Sequence, residues 1–366
     1  MNFKKIFPTK LYWFPFLLLF VLTSCKDSFN FEPSLESLTV EKMVTADEFY
    51  PEGNYPSPCT SIMATKKGFM CLGFYSSPET GENINTLSVW ENDGNHIQTN
   101  DFGNSDNIFT DVHEYIETSD GSIIVLDILS STITAYKFNA AGEFVWRKEL
   151  FSRADYNFNS ISLFENNNNY IVLASDNELQ TKHSKFEISK DGSEVNEEVT
   201  ESDFRRFTVH RISNEKAIYI GANTESLSAI VKIANVNGGV VKEKEYLTTS
   251  VSTGFRLEKS RSYLLMDNRS HVYKTNNDLE VEWDAGFTDF NYLSSGIVET
   301  DAGNILYNGR NENIYLYSIE GDKLDEYSTP DNSFTMTKPV KLTNGNIVVS
   351  TYGGETTQLI FLSTSE

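Results

Sequence analysis

Asp120-Gly121-Ser122-Ile123-Ile124-Val125-Leu126-Asp127 is a tight turn followed by an apolar, β-branched run, and the chain makes this kind of turn seven times. The turns are Lys66-Lys67-Gly68, Asp120-Gly121, Asn167-Asn168-Asn169, Asn214-Glu215-Lys216, Ser260-Arg261-Ser262, Asp301-Ala302-Gly303 and Asn344-Gly345, one roughly every forty to fifty residues. Each lies between two short apolar runs, such as Ile297-Val298-Glu299 before and Ile305-Leu306-Tyr307 after. A period of this length marks a repeat architecture.

A second ladder of turns interleaves with the first: Asn92-Asp93-Gly94, Ala141-Gly142, Asp191-Gly192, Gly238-Gly239, Asn276-Asn277-Asp278 and Glu320-Gly321. Between the ladders lie segments such as Ser122–Asp127 and Ile133–Phe138, rich in the β-branched and aromatic residues that favour strands. One unit therefore reads strand, tight turn, strand, variable loop, strand, tight turn, strand. This is a four-stranded antiparallel meander, the blade of a β-propeller. The first ladder has seven turns and the second six, so the last unit stops after a third strand, Gln358–Ser363. The extended run Leu38–Val44 stands without partners at the other end. Pairing the two predicts an all-β, seven-bladed propeller closed by its N-terminal strand, with no sheet edge left open at the seam. Six or eight blades would require a miscounted turn, most plausibly near residues 45–58.

The N-terminus reads as an export signal. Lys4 and Lys5 precede the apolar stretch Leu11–Leu22, broken by Pro15 and well short of the ~20 residues that span a bilayer. Leu22-Thr23-Ser24-Cys25 resembles the bacterial lipobox, which implies that Cys25 becomes the lipid-modified first residue; the alternative is ordinary cleavage near Ser24. The following Lys26-Asp27, with the stretch through Pro33 to Glu36, is similar to the export signal of surface lipoproteins of the Bacteroidetes group. The expected organisation is a signal peptide over 1–24, a lipid-anchored tether over 25–37 and one propeller domain over 38–366. Removing 1–24 takes away Lys4, Lys5 and Lys10 and moves the formal net charge from −22 to −25. So acidic a body excludes nucleic acid as a partner and disfavours lying flat on anionic lipid. The membrane is expected to be held through lipid on Cys25.

Cys59 and Cys71 flank the turn at Lys66-Lys67. With a two-residue loop there, Cys71 pairs with Ile62 and Cys59 with Phe74, so the thiols fall off register. A disulfide then needs a diagonal bridge or a different loop; two buried thiols are the alternative.

The segment Ala135-Tyr136-Lys137-Phe138-Asn139-Ala140-Ala141-Gly142-Glu143-Phe144-Val145-Trp146-Arg147 resembles the strand–turn–strand of quinoprotein-like (PQQ-like) propeller repeats, with Gly in the turn and Trp in the outer strand. Phe186 to Glu194 echoes it, as does Tyr273 to Trp283, where the glycine is absent. The resemblance implies the architecture and no cofactor. An aromatic recurs in the loops leading into blades (Phe109, Phe158, Phe207, Phe255, Tyr292, Phe334), and recurrence points to packing between blades. The aromatics that break the pattern are the better binding candidates: Tyr156, Phe204, Phe290, and Tyr50 with Tyr55. Arg153, Arg205, Arg206 and Arg256 are placed in loops that enter blades, and Arg310 in a loop between middle strands, which would share one face. Such guanidinium groups can select a carboxylate or phosphate, or each can pair with an acid nearby such as Asp155, Asp203 or Glu312.

His96, His113, His183, His210 and His271 are scattered, without metal-ligand spacing, and no nucleophile elbow or phosphate-cradling glycine loop is found. No catalytic, metal or cofactor set is read. The expectation is a lipid-anchored binding or scaffold module at the outer membrane, on the cell surface or the periplasmic face, whose loop face docks another envelope protein. The propeller lipoprotein of the outer-membrane barrel-assembly machinery is its fold-level analogue. A surface glycan- or nutrient-binding lipoprotein is the alternative, and an enzyme with a channel site the third reading.

Overall fold

The computed structural model describes residues 36–49, 55–77, 79–104, 112–129, 132–152, 158–176, 182–201, 204–223, 225, 228–246, 251–267, 271–286, 296–309, 313–328, 335–352 and 357–365. They form seven antiparallel sheets arranged as a β-propeller. Blade 1 runs through Tyr55–Ala64, Gly68–Ser76, Asn83–Glu91 and His96–Asn104. Blade 2 comprises Glu114–Glu117, Ile123–Leu129, Thr132–Phe138 and Phe144–Ser152, and blade 3 Phe158–Glu165, Asn169–Asp176, Lys182–Ser189 and Val195–Glu201. Blades 4 to 6 repeat the meander over 204–246, 251–286 and 297–328. Blade 7 holds Thr335–Met336 with Val340–Lys341, then Ile347–Tyr352, Gln358–Ser365 and, as its outermost strand, Ser37–Thr45. A single 3-10 turn, Ala46–Phe49, is the helical element among the described residues.

The run Ile123-Ile124-Val125-Leu126 shows why these strands are apolar throughout. Side chains alternate across a strand, and both faces of a blade are covered by its neighbours. Ile123 and Val125 pack with Met63, Met70 and Leu72 of blade 1, while Ile124 and Leu126 pack with Leu163, Tyr170 and Val172 of blade 3. Burial of this kind stabilises by about 25 cal/mol per Å² of apolar surface.

The second-ladder turns share one chemistry. In blade 2, Gly142 N donates to Asn139 O and Asn139 N to Glu143 O, both at 2.9 Å, with Gly142 at φ 74°. That is a type I turn closed by a left-handed residue, a conformation that favours glycine. Blade 5, which lacks the glycine, forces Leu279 into the same place at φ 64°. Its side chain is fully buried, so packing offsets the backbone cost.

The ring closes as expected. Ser37–Thr45 pairs antiparallel with Gln358–Ser365, from Ser37 opposite Ser365 to Thr45 opposite Gln358. The cysteines are joined. The loop at Lys66-Lys67 is the two-residue one, with Thr65 N donating to Gly68 O, and Ile62 does face Cys71. Beyond that pair the register shifts between Ser57 and Ser61, so Phe74 faces Ser57 in place of Cys59. This irregularity brings the Cα atoms of Cys59 and Cys71 to 4.9 Å, and the disulfide forms.

Candidate functional site

Two ties recur between blades, both on the face that carries the tight turns. The first is made by the last residue of the innermost strand in blades 2, 3, 6 and 7; blades 1 and 5 carry Ala64 and Leu257 at that place. Glu117 accepts from Lys66 N at 2.8 Å. Glu165 accepts from Ser119 N at 2.7 Å and Ser119 Oγ at 2.9 Å, and Glu299 from Lys259 N at 3.0 Å and Ser260 N at 3.3 Å. Each carboxylate thus caps the turn of the preceding blade. In blade 7 a cation does the work: Lys341 Nζ donates to Glu299 O at 3.0 Å and Asp301 Oδ1 at 2.9 Å.

The second tie seats a second-ladder turn against the blade before it. A Cβ on Gly142 would lie 2.7 Å from Val89 of blade 1, and one on Gly192 2.8 Å from the Trp146 ring of blade 2. Trp283 Nε1 of blade 5 donates to Ile319 O of blade 6 at 2.7 Å.

Blade 4 breaks both rules. Arg211 stands where a glutamate caps elsewhere and points across the central channel to blade 2, where Nη2 lies 3.3 Å from Glu114 Oε1 and donates to Tyr115 O at 3.2 Å. In the outer tie the glycine contact is missing: a Cβ on Gly238 would meet nothing within 4 Å and one on Gly239 only Asn235 at 3.9 Å, and the turn touches blade 3 through Val236 alone of its apolar side chains. A groove of about 550 Å³ lies at this junction, bounded by the turns of blades 3 and 4. Beside it, a channel pocket of about 350 Å³ is lined by Glu114, His210, Arg211, Arg256 and Glu299, and Asn214 borders both.

The channel side chains hold one another. Burial pushes the Glu114 carboxyl up, while Arg211 and Lys338 pull it back down. Burial, aided by Lys338, lowers His210 to about 4, so it is neutral at physiological pH. Its Nε2 lies 3.1 Å from Thr253 Oγ1, and its ring stacks on Phe255 of the next blade, centroids 6.3 Å apart. Burial also raises the Tyr115 phenol, whose oxygen accepts from Ala64 N at 3.0 Å. Among the described residues no group of three or more His, Cys, Asp or Glu side chains could hold a metal ion.

The residues singled out from sequence do not come together. Arg205, Arg206 and Arg256 lie within innermost strands, not in the loops before them. Arg205 pairs with Ala222 at the end away from the tight turn, whereas Arg256 pairs with Tyr263 close to it, so the two stand at opposite ends of their strands. Arg256 Nη1 donates to Asn277 Oδ1 at 3.0 Å, the guanidinium lies over the Tyr263 ring, and Glu258 is its carboxylate neighbour at 3.9 Å. Arg206 falls at an irregularity of its strand, between Arg205 and Thr208; the side chains of 204–207 lie outside the described residues, as do Cys25, Tyr50, Arg153, Tyr156, Phe290 and Arg310 and the side chain of Tyr55. Of the recurrent aromatics, Phe255 packs between blades as expected; the side chains of Phe109, Phe158, Phe207, Tyr292 and Phe334 lie outside the described residues. Arg211, Glu114 and Asn214 were missed. The signal for Arg211 is positional: Glu117, Glu165 and Glu299 share its place before the turn.

No family model and no curated protein matches the chain. Among solved structures, the Cps50 (Swd1) β-propeller domain of Myceliophteria thermophila is 9% identical, with a TM-score of 0.56 over 90% of this chain and 100% of its own. Virginiamycin B lyase from Staphylococcus aureus is 11% identical, with a TM-score of 0.55 over 89% of this chain and 99% of its own. At such identity they share the fold and nothing narrower, and one being a lyase and the other a propeller domain, the fold does not select a chemistry. BamB from Moraxella catarrhalis, 10% identical over 89% of this chain and 97% of its own, has a TM-score of 0.49, too loose to bear on function.

Proposed function

We propose that the chain is a binding module of the bacterial envelope, tethered through lipid on Cys25, and that it engages its ligand with the turn face over blades 2 to 5. The supporting observation is the coincidence of two things at one place. The inter-blade ties lapse at blade 4, and there the channel pocket and the junction groove meet at Asn214. Repeated side chains serve the ring; the side chains that depart from the repeat are free to serve a ligand. The lipobox-like Leu22-Thr23-Ser24-Cys25 supports the tether.

A second reading, docking of an envelope protein, has its own observation. Exposed large apolar side chains gather on outermost strands: Ile97 on blade 1, Phe144 and Val145 on blade 2, Val199 on blade 3, Val240 and Val241 on blade 4. A protein partner would on this reading grip the rim of the ring.

One set of variants tests both. Cys25→Ala should abolish incorporation of labelled fatty acid and release the protein from membranes; unchanged labelling would refute the anchor. Affinity isolation of the native protein should lose its ligand or partner with Asn214→Lys/Glu215→Lys and keep it with Val145→Glu/Val240→Glu. The reverse pattern would move the function to the rim.

A further inference from the structure

The groove between blades 3 and 4 has a chemistry of its own. Its walls are built by three turns and carry Asn166, Asn167, Asn214, Asn235 and Asn237, with Glu215 beside them. The run Asn166-Asn167-Asn168-Asn169 supplies one wall, and its own backbone is spoken for: Asn166 N donates to Asn169 O, and Asn167 N to the Asn166 side chain at 2.7 Å. The facing turn is closed likewise, with Gly238 N donating to Asn235 O at 2.9 Å. The side-chain amides of Asn167, Asn214, Asn235 and Asn237 have no partner among the described residues. Each offers two donors and an acceptor to whatever enters.

Charge narrows the ligand further. Glu165 at the inner end is already neutralised by Lys190 and hydrogen-bonded by Ser119, and the walls offer no other cation among the described residues. In a chain of formal charge −22, a groove of amides and carboxylates repels anions. Beneath the amides lie Phe164, Ile171 and Val236, one apolar cluster. Paired donors and acceptors above an apolar floor complement a molecule with hydroxyls around its edge and C–H groups on its face. A peptide strand is the poorer match, because it needs a free strand edge and these hairpin turns present none. The size, about 550 Å³, lies within the roughly 300–1,000 Å³ of small-ligand sites.

We infer that the blade 3–blade 4 junction is a binding groove for a neutral, hydroxyl-rich ligand, a short oligosaccharide held by the asparagine amides. The inference rests on the turn face being the ligand-binding face, and it names the class of ligand taken there. The groove exists because Arg211 does not cap the preceding turn. A glutamate at that position would cap Asn167 or Asn168 as Glu165 and Glu299 cap their own neighbours, and would narrow the junction.

The test is calorimetric titration of the full chain with neutral oligosaccharides cut from α-glucan, β-glucan, xylan, mannan and chitin. At least one should bind, and Asn167→Ala/Asn237→Ala should weaken it tenfold or more. Glu114→Gln/Arg211→Glu, which recaps the turn without stranding a buried carboxylate, should weaken it by a similar factor. Binding that survives both double variants overturns the groove, and so does a panel in which nothing binds. Direct binding of unstructured peptides, with no sugar bound, overturns the ligand class. If Asn214→Lys/Glu215→Lys abolishes isolation of a native partner while no sugar binds, the saccharide fails and the turn face stands.

Discussion

The junction between blades 5 and 6 and the junction between blades 3 and 4 use the same positions of the repeat to different ends. In the first, Glu299 reaches back to cap Lys259 and Ser260, and Trp283 ties the outer strand to Ile319. In the second, Arg211 turns into the channel and Gly238 faces open space. The backbone is alike in both, so the difference lies in side chains at two places per blade. A propeller can therefore open a groove without altering its sheets, because the ties that seal its wedges come from single residues.

The comparison breaks most visibly at Arg211. Arg211→Met should leave Glu114 without its closest cation and lower stability by about 2–3 kcal/mol, below the full range for buried pairs because both side chains are partly solvated. Adding Glu114→Gln should recover most of that loss in a denaturant midpoint. A midpoint unmoved by Arg211→Met would show that the cross-channel pair contributes nothing.

Next comes the sealed junction. Glu299→Ala hands two backbone N–H groups to water, losing two charge-assisted hydrogen bonds, and should cost about 1–2 kcal/mol, whereas Glu215→Ala at the open junction should stay within about 0.5 kcal/mol. Equal losses would mean that the cap is not what seals the wedge.

The two tryptophans sharpen the contrast further. Trp283 Nε1 is hydrogen-bonded, while Trp146 Nε1 is buried without a partner among the described residues. Trp283→Phe should therefore cost about 1 kcal/mol more than Trp146→Phe, measured as a difference in thermal unfolding.

At neutral pH the contrast that shows least is a pH dependence at the pocket, which emerges only on acidification. His210 is held neutral, with its value lowered to about 4 in the fold against an ordinary 6.5. The unfolded chain then binds the extra proton first, so His210 withdraws stability as pH falls from about 6.5 to 4. Glu114, shifted upward, acts with the opposite sign: its contribution falls as pH rises above the ordinary carboxylate range. His210→Asn should flatten the acid side of the stability profile, and an unchanged slope there would remove His210 as its source.

The architecture was open to reading because its signals are local. Gly121, Gly142, Gly192, Gly303, Gly321 and Gly345 all sit at positive φ in the two ladders of turns, and the imbalance between ladders points to the closing strand. What stayed hidden depends on geometry that no local pattern carries. Leu279 occupies a glycine's place because the core repays it. The disulfide depends on an irregularity before Ser61 that shifts the register. Arg256 looked like a neighbour of Arg205 until strand direction put it at the other end of its blade. Arg211 is hidden because the place before the turn holds a glutamate in only three blades, and its reach across the channel to Glu114 is a tertiary contact.

The seam of blade 7 also bears on biogenesis. Ser37 and Ser365, whose hydroxyls meet, are 328 positions apart. During synthesis the first strand must wait, unpaired, until Gln358–Ser365 has emerged. Six blades can assemble from neighbours in sequence, but the seventh requires the longest loop closure in the molecule and should form last. In that interval the outer strand of the seam is a bare edge, open to pairing with another chain.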